Sequence, residues 1–547
     1  MNINFGPNAS NPNDTGNQFA NMLLGNYTSV SQTKGIFYGA FRFFTTEAYL
    51  QDSWKVSRKL TLEYGVRWAY EGPTYTRGKY LQYYFQPNLY DPSHAVKINT
   101  ASGVTNGTII AGSGNPFNGM IQEGSPGLPL GGVQHRYNNW APRLGIAFDP
   151  TGDGKTAIRL GGGVFYERIQ QNVYNFGGLG NPPLVLTPTL YGGNLDGLSS
   201  SLAAGGTLAP ATATAVDMKG QIPTTYSWSF DIQRELGLKT SLDIGYVGNL
   251  GRHLQYNRNL GQLPLNTTTA PGTKILSNVN FTNNAIRPYL GFGDVNFTEF
   301  GATSNYNALR TRISRRFASH LTLNATYVWS KAMDEVDADG NVIGYYLDRR
   351  RDYARAGYDR THVFNFDYVY ELPQFAKHNG FLKGVVNGWQ LAGITRFWSG
   401  PPINVTANGD PGTLTTSPPN SGQRADYLGG QIYPDNQSRL QFFNPLVFAR
   451  PANGSLGNLG RNALTGPGIN QWDISMYKNT HIGEHVTAQL RVETFNTFNH
   501  TQWATVNGPI SAPNPSTAVT TSTIGTSGQV TNTRDPRNIQ LGLKILF

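Results

Sequence analysis

The last eleven residues, Arg537-Asn538-Ile539-Gln540-Leu541-Gly542-Leu543-Lys544-Ile545-Leu546-Phe547, place Ile539, Leu541, Leu543, Ile545 and Phe547 on one side of an extended chain. A period of two predicts a β-strand with one apolar face. The same alternation runs through Leu60, Leu62, Tyr64, Val66, Trp68 and Tyr70, with Thr61, Glu63 and Arg67 opposite. It returns at Leu321, Leu323, Ala325, Tyr327 and Trp329 against Thr322, Asn324, Thr326 and Ser330, and at Val486, Ala488, Leu490 and Val492 against Thr487, Gln489, Arg491 and Glu493. Shorter versions lie near 42–54, 141–148, 156–166, 223–235, 239–249, 304–316, 361–371, 388–398 and 470–479, and residues near 28–38 offer one more. The pattern predicts about fourteen strands, each with one greasy and one wet face.

Alternation is shared by soluble barrels, apolar inside, and outer-membrane barrels, apolar outside. The connections separate the two. Reading back from Phe547, the links are long (498–536), short (480–484), long (399–469), middling (372–387), long (332–360), short (317–319), long (250–303), short (236–238), long (167–222), short (149–155), long (72–140) and short (55–59). An up-and-down membrane barrel, with brief periplasmic turns and extended outer loops, predicts this order. The long links are rich in Asn, Gly, Ser, Thr and Pro, as in 181–221 and 503–533. They read as solvated surface loops without a packed core.

Composition narrows the class further. The 547 residues include 64 Gly and 32 Pro, 12% are aromatic and only 14% are charged, against about 25% charged in soluble domains. The chain is too apolar for disorder, and no stretch approaches the roughly 18 uncharged apolar residues of a membrane-spanning helix. Any membrane crossing is therefore by strands. Aromatic residues gather at strand ends, as at Trp68 and Tyr70, Tyr327 and Trp329, Phe366, Tyr368 and Tyr370, or Phe397 and Trp398, where rings would sit at a lipid–water boundary. The alternative is the general preference of aromatics for strands. Net charge is +10, but Lys and Arg are scattered, so no nucleic-acid partner is expected. The triple Arg349-Arg350-Arg351, flanked by Asp348 and Asp352, reads as a solvated loop. The absence of Cys removes disulfides and thiolate sites. Met1-Asn2-Ile3-Asn4-Phe5 carries no secretory signal. Residues 1–40 are expected to be an opening segment in which Phe19-Ala20-Asn21-Met22-Leu23-Leu24 forms a short helix or loop before a possible first strand, and 41–547 to be the barrel.

Several segments resemble landmarks of the Oar-like TonB-dependent transporter barrels. They are Gln18-Phe19-Ala20-Asn21-Met22-Leu23-Leu24-Gly25, Glu47-Ala48-Tyr49-Leu50-Gln51-Asp52-Ser53-Trp54-Lys55-Val56 followed by Leu60–Trp68, Ala141-Pro142-Arg143-Leu144-Gly145, and Tyr246-Val247-Gly248-Asn249 with Gly251-Arg252-His253-Leu254. Tyr327-Val328-Trp329-Ser330-Lys331, Asp359-Arg360-Thr361-His362-Val363-Phe364 and Glu493-Thr494-Phe495-Asn496-Thr497-Phe498-Asn499-His500 complete the set, which spans nearly the whole chain. The resemblance implies an outer-membrane receptor of a Gram-negative bacterium, embedded in lipid, energised through the TonB complex and built around an N-terminal plug. Neither the plug nor the carboxypeptidase-regulatory-like domain that often precedes it lies in this sequence. In a barrel of about twenty-two strands, roughly eight would be missing here, so the chain is expected to be a C-terminal portion. Phe547 resembles the terminal aromatic by which barrel assembly machinery recognises its substrates; otherwise it is one more lipid-facing residue.

Candidate chemistry is sparse. His481-Ile482-Gly483-Glu484-His485 matches an inverted zinc-protease pattern, but it lies between two alternating strands and lacks the helix that chemistry needs, so a turn is expected. Gly154-Lys155-Thr156 resembles the end of a phosphate-binding loop, yet Asp149 stands where the first glycine belongs; Asp149–Gly154 reads as a hairpin turn. Asp334, Glu335, Asp337, Asp339 and Asn341 could offer oxygen ligands to Ca²⁺, but Val342 occupies the glycine position of an EF-hand, which favours a solvated acidic loop. No G-x-S-x-G elbow occurs. Arg67, Arg159, Arg310, Arg312 and Arg491 are expected to face a lumen, where charges tune passage or contact a plug. No catalytic, metal, cofactor or substrate residue is assigned, and no enzyme is expected. Three functions fit: a TonB-dependent transporter binding a bulky, unspecified extracellular ligand, a surface adhesion or signalling receptor anchored by a barrel, and a passive porin-like channel.

Overall fold

The computed structural model describes all residues except 9–10, 36–37, 79–80, 102–104, 170–174, 266–267, 271–272, 275–282, 319, 339, 346, 377–379, 408–422, 453, 483–484 and 511–524. Its frame is one antiparallel wall. In chain order the strands are β1 (Thr45–Lys55), β2 (Leu60–Glu71), β3 (Asn139–Phe148), β4 (Thr156–Tyr166), β5 (Thr224–Gly237), β6 (Thr240–Asn259) and β7 (Phe292–Ala318). There follow β8 (Leu321–Asp334), β9 (His362–Glu371), β10 (Trp389–Trp398), β11 (Ile469–Ile482), β12 (Val486–Phe495) and β13 (Asn538–Leu546). Each pairs antiparallel with the next. With shorter strands attached, the sheet has the architecture of an outer-membrane barrel.

Register converts the alternation of each strand into continuous rows. Trp54, Leu62, Ile146, Leu160, Phe230, Tyr246, Leu309 and Trp329 stand side by side across β1 to β8. Leu321, Tyr370, Leu391, Met476, Val492 and Leu541 do so across β8 to β13. Many of these side chains are exposed, Leu541 at 72%, because this perimeter meets lipid and no protein covers it. One step along the chain, Thr61, Ala147, Arg159, Asp231, Gly245 and Arg310 form a polar row on the inner face.

Among the described residues no backbone pairing joins β1 to β13. Each has one partner strand only, and both are exposed along nearly their full length. Alternating direction along thirteen strands makes the two edges run the same way, so direct joining would create a parallel pair.

Short turns and long links alternate as the sequence predicts, but three details differ. The segment predicted near 28–38 is the strand Asn26–Ser31, which pairs with Asn2–Asn4 and Thr189–Asn194 in a separate small sheet instead of joining the wall. Just before it, Gln18–Leu23 is a helix whose first amides, of Phe19 and Ala20, donate to the Asn17 side chain. The predicted link 250–303 shrinks to 260–291, since β6 spans 20 residues and β7 spans 27. At about 3.3 Å per residue and a tilt of about 40°, β7 rises more than twice the height of the roughly 25 Å apolar band of a barrel. Above the membrane, Ala211–Val216 adds in parallel to the extended β7, Tyr83–Phe85 pairs with it, and Met120–Gln122 pairs with Tyr83–Phe85.

The third difference overturns the expectation that the long links lack a core. Val216 and Ile222 pack with Tyr84, Leu128, Val133, Ile169 and Phe300 in one buried cluster, and Ala213 and Ala215 with Phe85, Phe292 and Val295 in another. Val506, Ile510 and Val530 join Phe442, Phe443, Phe448 and Leu464 in a third. Short segments scattered along the links bring one or two apolar side chains each, and together they exclude water.

Candidate functional site

Inside the wall the polar row is organised by ion pairs. Arg310 on β7 reaches across β6 to Asp231 on β5, with Nη2 2.7 Å from Oδ1. The crossing requires Gly245 between them, because a Cβ there would sit 2.0 Å from that same oxygen. Arg159 donates to Gln233 at 2.7 Å, Arg312 to Asn324 at 2.7 Å and Arg491 to Gln489 at 2.6 Å, while Arg67 lies 3.4 Å from Glu47. All five arginines predicted to face the lumen share the inner face, each with a polar partner on its own or another strand, and they are not clustered at one point. Between β9 and β12 this face encloses a cavity of about 590 Å³, lined by Asp367, Arg396, Gln471, Asp473, Tyr477 and Asn496 among others.

The rim beyond Trp329 carries the densest chemistry. Asp334, at the end of β8, has a side chain 2% exposed and pairs with Arg461, itself 6% exposed. Arg461 also reaches Asp337 at 3.0 Å through Nη1 and donates to the carbonyls of Asp352 and Asp334 at 2.9 and 2.7 Å. Arg424 lies 3.3 Å from Asp352, whose other oxygen accepts from the amide of Gly344 at 2.6 Å. Arg349 lies 3.2 Å from Glu335, which also accepts from the amide of Thr303. Arg355 donates to the carbonyls of Asn462 and Leu464, and Arg351 to that of Gly457. These contacts fasten the 399–468 link onto the 335–361 link and the rim of β7 and β8. Burial raises the carboxyl of Asp334 to about 6 against the opposing pull of Arg461, and raises those of Glu335 and Asp352 as well.

Two sequence expectations therefore need correction. The acidic run is not a solvated loop: Asp334 and Glu335 are buried and ion-paired. The arginine triple is solvated only in part: Arg350 is exposed, but Arg349–Asp352 forms a short 3₁₀ turn in which Arg349 and Arg351 are anchored to two other segments and Asp352 is buried. Asp339 lies outside the described residues, and among the described residues no group of three acidic or histidine ligands is placed to hold a metal. His481 and Ile482 are the last two residues of β11, with Gly483 and Glu484 outside the described residues. Asp149 accepts from the amides of Gly152 and Gly154 at 2.8 Å each, the hairpin chemistry predicted for it. Phe547 is fully exposed at the end of β13. Arg424 and Arg461 are not among the residues that the sequence singles out; the available signal is the local acid excess at 334–337, which demands cations from elsewhere once buried.

Residues 2–540 match the family described as Outer membrane beta barrel domain. The chain belongs to that family. Its place is the outer membrane, and the outward apolar rows are the lipid-contacting surface of this barrel. Among solved structures it is similar to the Escherichia coli outer membrane transporter YddB, with a TM-score of 0.40, 9% identity and coverage of 92% of this chain and 54% of that one. It is also similar to the siderophore receptor PiuA from Acinetobacter baumannii, with a TM-score of 0.39, 8% identity and coverage of 95% and 44%. For the P. aeruginosa FpvA, solved with heterologous pyoverdines, the values are 0.38, 9%, 92% and 38%. The outer membrane barrel chain thus spans about half or less of these proteins. No curated protein matches it.

Proposed function

We propose that this barrel is the membrane portion of an Oar-like, TonB-dependent receptor that captures a bulky extracellular ligand at its loop-built rim and admits it through the lumen. The carrying observation is the cation-clasped, cored body raised on one end of the wall above a charged interior. A simple anchor has no need to bury Asp334, Asp352, Arg424 and Arg461, whereas a receptor needs rigid walls around a binding surface. The plug and the TonB contact belong to chain outside these residues. The parallel sense of β1 and β13 supports completion by an odd number of further strands, about nine for a barrel of about twenty-two. Lipid tolerates unpaired edges poorly.

The test compares uptake and conductance. Cells carrying the intact gene should accumulate the ligand only with TonB present, and the full product of that gene, plug included, should show no steady current in planar bilayers. A constant open conductance, or uptake indifferent to loss of TonB, would replace this reading with a porin-like channel. Loss of cell attachment with unchanged uptake would instead favour an adhesion receptor.

A further inference from the structure

The inner side of the rim holds a second cavity, of about 180 Å³, between the ends of β4 to β8. Glu167 and Arg168 follow β4, Pro223 precedes β5, Gln255 lies on the extension of β6, Ser304 on β7 and Asp334 at the end of β8. Ser304 and Asp334 are direct cross-strand neighbours on the face that carries Arg310 lower down. The cavity therefore opens where a molecule entering the lumen would first meet the wall.

Two of its lining groups have unmet hydrogen-bonding capacity. Asp334 uses Oδ1 for Arg461, but its Oδ2 has no partner in the protein. Gln255 is 6% exposed, and its Nε2 donor has no partner either. Burying such groups unpaired is unfavourable. One needs a donor and the other an acceptor. Tyr358, 62% exposed, also lines the cavity, on the side of Asp334.

We propose that this cavity is a binding subsite for a neutral carbohydrate unit, with hydroxyls donating to Asp334 and accepting from Gln255 and the sugar ring lying against Tyr358. The chemistry excludes nearer rivals. Arg461 is already engaged by Asp334 and Asp337, and Arg168 lies over the Phe43 ring, so a phosphate or carboxylate ligand finds acids and no spare cation to hold it. An ammonium group could satisfy Asp334 but has no lone pair for Gln255. A trans peptide unit directs its N–H and C=O to opposite sides, whereas Gln255 and Asp334 project from the same wall. A hydroxyl both donates and accepts at one atom. This inference rests on the ligand-capturing reading above and names the class of ligand.

The experiment is calorimetric titration of the protein, in nanodiscs, with maltotriose, cellotriose and chitotriose, and with trialanine as the peptide control. At least one trisaccharide should bind, and Gln255→Met and Tyr358→Ala should each weaken it tenfold or more without changing the circular dichroism spectrum or heat-modifiable gel mobility. Tyr358 is exposed, so its variant keeps the test decisive if Gln255→Met misfolds. Absence of binding by all three sugars, binding indifferent to both variants, or trialanine binding with the same sensitivity would each overturn the proposal. Because binding is read on purified protein, it can fail while TonB-dependent uptake stands, or succeed in a barrel that transports nothing, which separates it from the receptor reading.

Discussion

The membrane band and the extracellular body of this barrel solve opposite problems. In the band, apolar side chains point outward into lipid and charges turn inward, as Leu309 and Arg310 do on consecutive positions of β7. In the body, apolar side chains such as Phe443 and Phe448 turn inward, and so do charges such as Asp334 and Arg461. One region is held by a solvent that rewards every second residue, the other by contacts among segments distant in sequence. The difference teaches that the two should respond separately to perturbation, the wall to changes on its perimeter and the body to changes in its cation clasp.

The strongest test removes the clasp. Arg461→Met leaves Asp334 buried without its cation, which should cost about 3–5 kcal/mol, confined to the body. Hydrogen exchange should show loss of protection in 423–449 and 454–465, with β9 to β13 unaffected. If the wall lost protection equally, the two regions would be a single cooperative unit and the comparison would break.

A perimeter change should do the reverse. Leu490→Arg, at the middle of β12 on the lipid face, should destabilise the barrel by about 2–4 kcal/mol, while Gln540→Arg on the inner face of β13 should be nearly neutral. Denaturant titration of protein refolded in lipid vesicles measures both. Equal costs at the two sites would contradict the assignment of faces.

Acidity sharpens the contrast within the body. The carboxyl of Asp334, beyond the membrane band, is raised from its ordinary 3.8 to about 6. A carboxyl raised on folding binds its proton more tightly in the folded state, so stability grows as pH falls from about 6 toward 4 and is lost again as pH rises through 6. Glu335 and Asp352 are raised by burial in the same direction. Protection of the body, corrected for intrinsic exchange, should therefore be greater at pH 5 than at pH 7.5, with a smaller increment in Asp334→Asn. The opposite slope would mean that the ion pair with Arg461 outweighs the burial of Asp334.

What could be read from the sequence follows the same division. Thirteen of the predicted strands lie in the wall, because lipid imposes a period of two on each crossing. The signal stops where lipid stops: Gly251–Asn259 and Phe292–Thr303 are strand, yet loop segments cover them and their alternation is blurred. The core of the body was hidden for a related reason, since Val216, Leu464 and Val530 each stand nearly alone among Gly, Asn, Thr and Pro. The inner-face arginines could be placed by alternation alone, but the partner of Asp334 lies 127 residues away and no local pattern reveals it.

The smallest effect on stability, and the finest test of the wall, is at its last residue. Phe547 and Ile545 share one apolar row and both are exposed to lipid at the barrel's end, so replacing either by Ala should cost the folded barrel about 1–2 kcal/mol, less than a charge on the perimeter. If Phe547 is also read by the assembly machinery, the two variants part in the cell. Phe547→Ala should reach the outer membrane several-fold less than wild type while refolding normally in detergent, and Ile545→Ala should do neither. Equal outer-membrane levels of the two variants would reduce Phe547 to a lipid-facing side chain, since a folded-state contribution common to both positions cannot by itself produce a difference between them.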